Sequence, residues 1–368
     1  MPSKKLVIFM PSIEGGGVEK NLFIIGNFLA KKIKNTMIVT ADRKYNKNFK
    51  NLNIINPKFT TNEKTTRLWK YCLCLFELIK LINNNNNIVV FAFQANFYCA
   101  VICKILFNVK LITRSNSSPS GWSKNYLKRI IFKRLFKLID DVIVNSLEFR
   151  KELKTKFNAN SQCIYNPLNE GEIIRLSKKK IFLPFFNKNK QLKIINIGRF
   201  VDQKDHITLL KGMRELNSLN INFKLLIIGR GINLDKMNYY IKKNNLQKKI
   251  KILPFKKNPY PYLKAADLFI LTSKFEGLPN VLLESLALKK FVIASDCPTG
   301  PSEILSRGKG GILFKIGDYK ELTKKILFYI KNKKKCSLML QYSIQQLVRF
   351  NENKNLLKYY RIVKKYTD

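Results

Sequence analysis

Short apolar runs recur along the chain, each followed by a longer stretch in which apolar positions return every three or four residues. The runs at 6–10, 88–93 and 268–272 are almost continuous in Leu, Ile, Val and Phe. A strand with this pattern is covered on both faces, as in a parallel sheet flanked by helices. The pattern predicts further strands at 37–40, 53–55, 110–113, 142–145 and 162–165, then at 192–197, 224–228, 250–253, 291–294 and 311–314. Strands alternating with helical patterns point to βαβ units rather than to a sandwich or a barrel.

Between the two series lies a polar, lysine-rich stretch, 166–191, containing Pro167 and Pro184. The 368 residues exceed what one hydrophobic core usually serves. The expected fold is α/β, with two Rossmann-like domains at 1–180 and 181–349 and a C-terminal helix over about 350–368 packing back on the first. The apolar stretch 88–107 is long enough to be weighed as a membrane span, but Gln94, Asn96 and Lys104 interrupt it. A strand and its crossover helix at 95–107 account for it, so no transmembrane helix is expected.

The formal net charge is +45, a field that attracts nucleic acid and acidic membrane surfaces alike. Lysine, asparagine and isoleucine crowd the whole chain, including the run 83–87, so part of that charge is compositional. Part is patterned. Between Trp122 and Leu138, the residues Lys124, Lys128, Arg129, Lys133, Arg134 and Lys137 interleave with Tyr126, Leu127, Ile130, Ile131 and Phe132. This basic amphipathic helix, like a second at 69–82, suits either its own sheet or the headgroup region of an anionic bilayer. Seven cysteines without a C-x-x-C pair, and no signal peptide, fit reduced thiols in a cytosolic chain. With His206 the sole histidine and no D-x-D triplet, the expected chemistry needs neither metal nor cofactor.

Four clusters fall at predicted strand ends. In the segment 275–284, Glu276 precedes a glycine turn and Glu284 falls about one turn into a helix that Pro279 or Asn280 can open. Free amides at that helix start suit a diphosphate, and the carboxylates can accept from sugar hydroxyls. The spacing by itself also fits a capped helix with a solvated glutamate. The loop 14–20 carries Gly16 and Gly17, where the backbone can approach a ligand or simply flex. In 196–206, Arg199 and Lys204 can together neutralise a diphosphate. In 296–303, Glu303 stands near a helix start.

With these residues in view, the chain resembles the family 4 glycosyltransferases of GT-B type, many of which build bacterial surface glycans. The resemblance rests on GGGVEK at 15–20, GRFVDQKDH at 198–206, FEGLPNVLLESLA at 275–287 and ASDCPTGPSEIL at 294–305. It implies two parallel sheets facing a central cleft and a retaining transfer of sugar from a nucleotide diphosphate, here expected to be a UDP-sugar. Arg199 and Lys204 would stabilise the departing diphosphate without metal. Glu276 would contact the donor sugar, the amides of 277–280, from Gly277 and Leu278 onward, would line sugar and phosphate, and Glu284 would bind the ribose. Gly16 and Gly17 would approach from the first domain. The sequence departs from the family in having Leu288-Lys289-Lys290 where a glycine usually ends the E-x7-E helix. It also lacks a histidine in the first domain, where Arg114 and Asn116 occupy a plausible equivalent place.

The expected partners are a nucleotide-sugar donor, a glycan or lipid-linked glycan acceptor and an anionic membrane surface, with no nucleic acid. The expected location is cytoplasmic, with peripheral docking on the inner face of the cytoplasmic membrane as the finer alternative. Two other classes compete. A nucleotide-dependent oxidoreductase would use Gly229-Arg230-Gly231, although Leu234 stands where the dinucleotide fingerprint needs glycine or alanine. A basic nucleic-acid or polyanion binder would use the charge, although zinc-finger spacing and aromatic RNA-binding signatures are missing.

Overall fold

The computed structural model describes residues 4–59, 65–85, 87–116, 126–186 and 191–368. Trp122 and Lys124 of the basic helix, and positions 86 and 187–190 of the polar stretches, lie outside them. The strands are β1 (Lys5–Phe9), β2 (Met37–Val39), β3 (Asn53–Ile55), β4 (Ile88–Ala92), β5 (Lys110–Ser115), β6 (Asp141–Val144) and β7 (Gln162–Cys163). A second set follows: β8 (Leu192–Ile197), β9 (Phe223–Gly229), β10 (Ile250–Pro254), β11 (Leu268–Leu271), β12 (Phe291–Ser295) and β13 (Ile312–Phe314). All pairings are parallel, in the orders β3-β2-β1-β4-β5-β6-β7 and β10-β9-β8-β11-β12-β13.

Each predicted strand is present, because burial on both faces forces the apolar runs that made them legible. All five residues of β4 and of β12 are buried. In β1 the side chains alternate, with Val7 and Phe9 in one core cluster and Leu6 and Ile8 in the other. The predicted crossover helix at 95–107 begins as the α-helix Asn96–Ala100 and continues as the π-helix Val101–Leu106.

The chain divides into two compact units, Met1–Pro167 with Phe350–Asp368, and Leu168–Arg349. The division falls earlier than the expected 180 because the helix Glu170–Ser177 packs on Tyr260–Ala265 and Asn280–Ala287. In the first unit, Leu356, Tyr359, Ile362 and Val363 of the helix Glu352–Thr367 join the cluster that holds Leu6, Ile8 and Phe91. Their spacing of three and four residues puts them on one helix face. Among the described residues, no helix is long and apolar enough to cross a membrane.

Candidate functional site

In the second sheet the chain runs outward from β8 to β9 and β10, then resumes on the other side of β8 with β11. Loops leaving the carboxyl ends of strands at such a reversal form the crevice in which open α/β sheets bind ligands. The loop after β8 carries Arg199 and Lys204; the loop after β11 carries Glu276. Lys204 Nζ donates to Glu276 Oε1 at 2.5 Å, tying the two loops at the reversal. Lys204 is 15% exposed and Glu276 8% in their side chains, so the pair is largely out of water. Such charge-assisted bonds are shorter and stronger than neutral ones.

The surrounding loops fix that pair. Ser273 Oγ donates to the same Glu276 Oε1 at 2.6 Å, and Thr299 Oγ1 donates to the Glu276 carbonyl at 2.7 Å. Thr272 Oγ1 donates to the Lys204 carbonyl at 2.9 Å, while Gln203 Nε2 donates to the Phe275 carbonyl at 2.8 Å. Asp205 then caps the helix His206–Ser218 from a left-handed conformation, φ 45°, with Oδ2 accepting from Thr208 Oγ1 at 2.7 Å. His206 is buried edge-on against Phe200, and burial first, with Lys204 second, holds its imidazole down at about 4. It therefore stays neutral near pH 7. Burial, followed by the Glu276 charge, pushes the Cys297 thiol up to about 12, so no thiolate nucleophile stands beside the pair.

The helix Asn280–Ala287 begins differently from expectation. Pro279 occupies the cap position in an extended conformation, and no side chain caps the helix. Proline has no N–H, so the donors at this end come from its neighbours and not from Pro279 itself. Gly277, Leu278 and Pro279 are buried and Asn280 is half-buried. Glu284 lies one turn in, is 7% exposed and accepts from Tyr260 Oη at 3.2 Å. The absent C-terminal glycine is replaced by Lys289, which takes the left-handed position at φ 56°. Its neighbours Leu288 and Lys290 donate back to the Glu284 and Ser285 carbonyls, so the helix still ends.

Glycines elsewhere make the loops fit. A Cβ on Gly300, φ +94°, would stand 2.5 Å from the Gly277 carbonyl oxygen and 2.7 Å from Pro279 Cδ. A Cβ on Gly229 would stand 1.9 Å from the Gly198 carbonyl oxygen, and one on Gly231 2.4 Å from that of Phe200. Gly229 and Gly231, the basis of the oxidoreductase alternative, thus let the 198–200 loop close over β9. Glu303 is buried in the short helix Pro301–Ile304, where its backbone carbonyl accepts from Arg349 Nη2 at 3.3 Å.

In the first unit, Gly16 and Gly17 start the helix Gly17–Lys32, yet the Gly16 N–H donates to Glu19 Oε2 at 2.9 Å. That amide is therefore committed within the loop. Arg114 is 0% exposed. Its Nε donates to Tyr359 Oη at 2.8 Å and its Nη2 to Asn166 Oδ1 at 2.7 Å, with the guanidinium over the Phe93 ring. These bonds tie Arg114 to the C-terminal helix, while its Nη1 is buried without a partner among the described residues. Asn116 is half-buried and donates to the Phe93 carbonyl at 3.3 Å. Ser273 and Tyr260 were not anticipated. Ser273 directly follows the predicted strand 268–272, whereas no local spacing links Tyr260 to Glu284.

Residues 177–346, which lie within the second unit, match the family Glycosyl transferases group 1. The chain is similar to an uncharacterized glycosyltransferase of Methanocaldococcus jannaschii, 29% identical over 67% of this chain and 65% of the relative. It is also similar to the N-acetylgalactosamine-N,N'-diacetylbacillosaminyl-diphospho-undecaprenol 4-alpha-N-acetylgalactosaminyltransferase of Campylobacter jejuni, 26% identical over 85% of this chain and 86% of the relative. Among solved structures, Anabaena Alr3699/HepE in complex with UDP and glucose aligns with a TM-score of 0.79 at 15% identity, covering 98% of this chain and 100% of that one. The fold is therefore that of GT-B glycosyltransferases, built from two parallel-sheet Rossmann-like units.

Proposed function

We propose that the chain is a retaining glycosyltransferase that moves a sugar from a nucleoside diphosphate, best a UDP-sugar, to a hydroxyl of a glycan or lipid-linked glycan. The observation that carries this reading is the Lys204–Glu276 pair joining two loops at the chain reversal of the second sheet. In this role, the Lys204 ammonium and the exposed Arg199 guanidinium stabilise charge on the leaving diphosphate. Glu276 accepts from donor-sugar hydroxyls through the oxygen that Lys204 and Ser273 leave unused. Glu284 accepts from the ribose, with Tyr260 holding its carboxylate. Leaving-group stabilisation by fixed cations lets the reaction run without a metal.

The family match and the glycosyltransferase relatives support transfer chemistry. The Campylobacter relative's name specifies a diphospho-undecaprenol acceptor, which supports a lipid-linked acceptor in surface polysaccharide or lipopolysaccharide synthesis here. A lipid-borne substrate calls for docking on the cytoplasmic face of the membrane. The helix Tyr126–Leu138 supports this with Tyr126 74% and Leu127 67% exposed among lysines and arginines, and without a single acidic residue. The test is release of UDP from a panel of UDP-sugars, with GDP-sugars as controls. Release from at least one UDP-sugar, abolished by Glu276→Ala in a folded protein, is the expected result; no release from any UDP-sugar, with or without lipid-linked glycan, overturns the reading.

A further inference from the structure

The first sheet ends in three asparagines whose side-chain oxygens have no partner among the described residues. Asn96 follows β4, Asn116 follows β5 and Asn145 follows β6, and these strands are neighbours. Ser115 pairs with Val144, so the next residues, Asn116 and Asn145, come level at the carboxyl edge. Asn96 Nδ2 donates to the Arg114 carbonyl at 3.2 Å and to Ser115 Oγ at 3.3 Å, and Asn116 Nδ2 donates to the Phe93 carbonyl. Those bonds set the amide orientations and leave each Oδ1 facing elsewhere. Among the described residues, Oδ1 of Asn96, Asn116 and Asn145 is buried and unpartnered, and Asn145 as a whole is only 2% exposed.

Buried acceptors are normally satisfied, and one left alone forfeits its hydration without return. Three at one strand edge are a standing cost that apolar residues would avoid. A second strain accompanies them, since Ala95 delivers Asn96 from a left-handed conformation, φ 55°. The location is chemically pointed as well. The first sheet reverses between β1 and β4, where the Ser12 N–H donates to Gln94 Oε1 at 3.2 Å, and the Gly16–Gly17 loop leaves the same edge.

We propose that Asn96, Asn116 and Asn145 form a polyol subsite, their amide oxygens accepting hydrogen bonds from the hydroxyls of a neutral sugar. Three amide oxygens offer an anion no donor. They also bring no carboxylate to balance a divalent cation, which the chain's net charge of +45 already disfavours. A ligand rich in O–H donors and without charge satisfies all three. That this ligand is the acceptor glycan rests on the glycosyl-transfer reading; the need for a neutral donor-rich ligand does not.

The test is saturation-transfer NMR on the full chain with methyl α-glucoside and methyl N-acetyl-α-glucosaminide, alongside UDP titration and thermal melting. The expected result is transfer to at least one glycoside, reduced fivefold or more in Asn145→Ala and in Asn116→Ala. Asn145→Ala should stay folded and melt close to the parent, the packing lost at a 2%-exposed site being offset by removal of an unpartnered oxygen. UDP affinity should stay within twofold. Absence of glycoside signal in the parent, or equal signal in folded variants, overturns the proposal. Asparagine-dependent glycoside signal without any UDP binding would uphold the subsite and sink the glycosyl-transfer reading instead.

Discussion

At the residue scale, the account depends on Lys204 and Glu276 being one unit. Lys204→Ala leaves a carboxylate 8% exposed with Ser273 as its remaining side-chain donor, so it should cost about 3 kcal/mol in denaturant unfolding. It should also slow sugar transfer by about 10²–10³-fold by removing leaving-group stabilisation. A stability change within 0.5 kcal/mol of zero would break the claim that the pair is held out of water. His206 gives a pH signature. Its folded value near 4 lies below the ordinary 6.5, so the unfolded chain takes up the proton first and stability falls as pH drops from about 6.5 toward 4, by about 3 kcal/mol in all. His206→Leu should flatten that limb, and an unchanged acid dependence in the variant would contradict the assignment. The sequence made Lys204 and Glu276 legible because each follows its strand at short range. It hid Ser273's bond to Glu276 and Tyr260's to Glu284, because those contacts depend on how loops fold over one another. Arg114 was legible as a residue at a strand end but not as a buried anchor, since its partner Tyr359 lies 245 residues away in sequence.

At the element scale, the strands were readable because two covered faces leave no room for polar residues, while the loops carry the function and obey closer-range sterics. Gly300→Ala tests this. The new Cβ would press on the Gly277 carbonyl from a left-handed backbone, so the substitution should cost about 2 kcal/mol and displace the loop that carries Glu276. A thermal melt and donor KM measured together check it; a normal melt with normal KM would show the loop to be tolerant. The same logic explains why Gly229 and Gly231 read as a fragment of a dinucleotide motif. They are needed, but for the close approach of 198–200. The E-x7-E helix ends on a lysine rather than a glycine because three backbone bonds over 288–290 compensate its left-handed φ, something that residue type does not announce.

At the scale of the whole molecule, a net charge of +45 and the exposed Tyr126, Leu127 and Ile131 beside basic residues set the expected environment. Sedimentation should show binding to phosphatidylglycerol vesicles, little to phosphatidylcholine, and a fall with rising salt. Tyr126→Ser with Ile131→Ser should lower binding to anionic vesicles at least threefold; equal binding by that variant would reassign the attraction to diffuse charge. The composition revealed the charge, but only the structure separated this exposed face from the side packed on the helix Asn96–Ala100, where Phe132 stacks on Phe97 with ring centroids 4.0 Å apart. The central claim is that the second unit holds a nucleoside diphosphate between Lys204 and Glu284. Calorimetric titration of UDP, GDP and NAD into the parent, Lys204→Ala and Glu284→Ala at physiological salt tests it most directly. The account predicts saturable UDP binding, weakened tenfold or more by either substitution, and no heat from NAD; silence from UDP, or equal affinity in all three folded proteins, would contradict it.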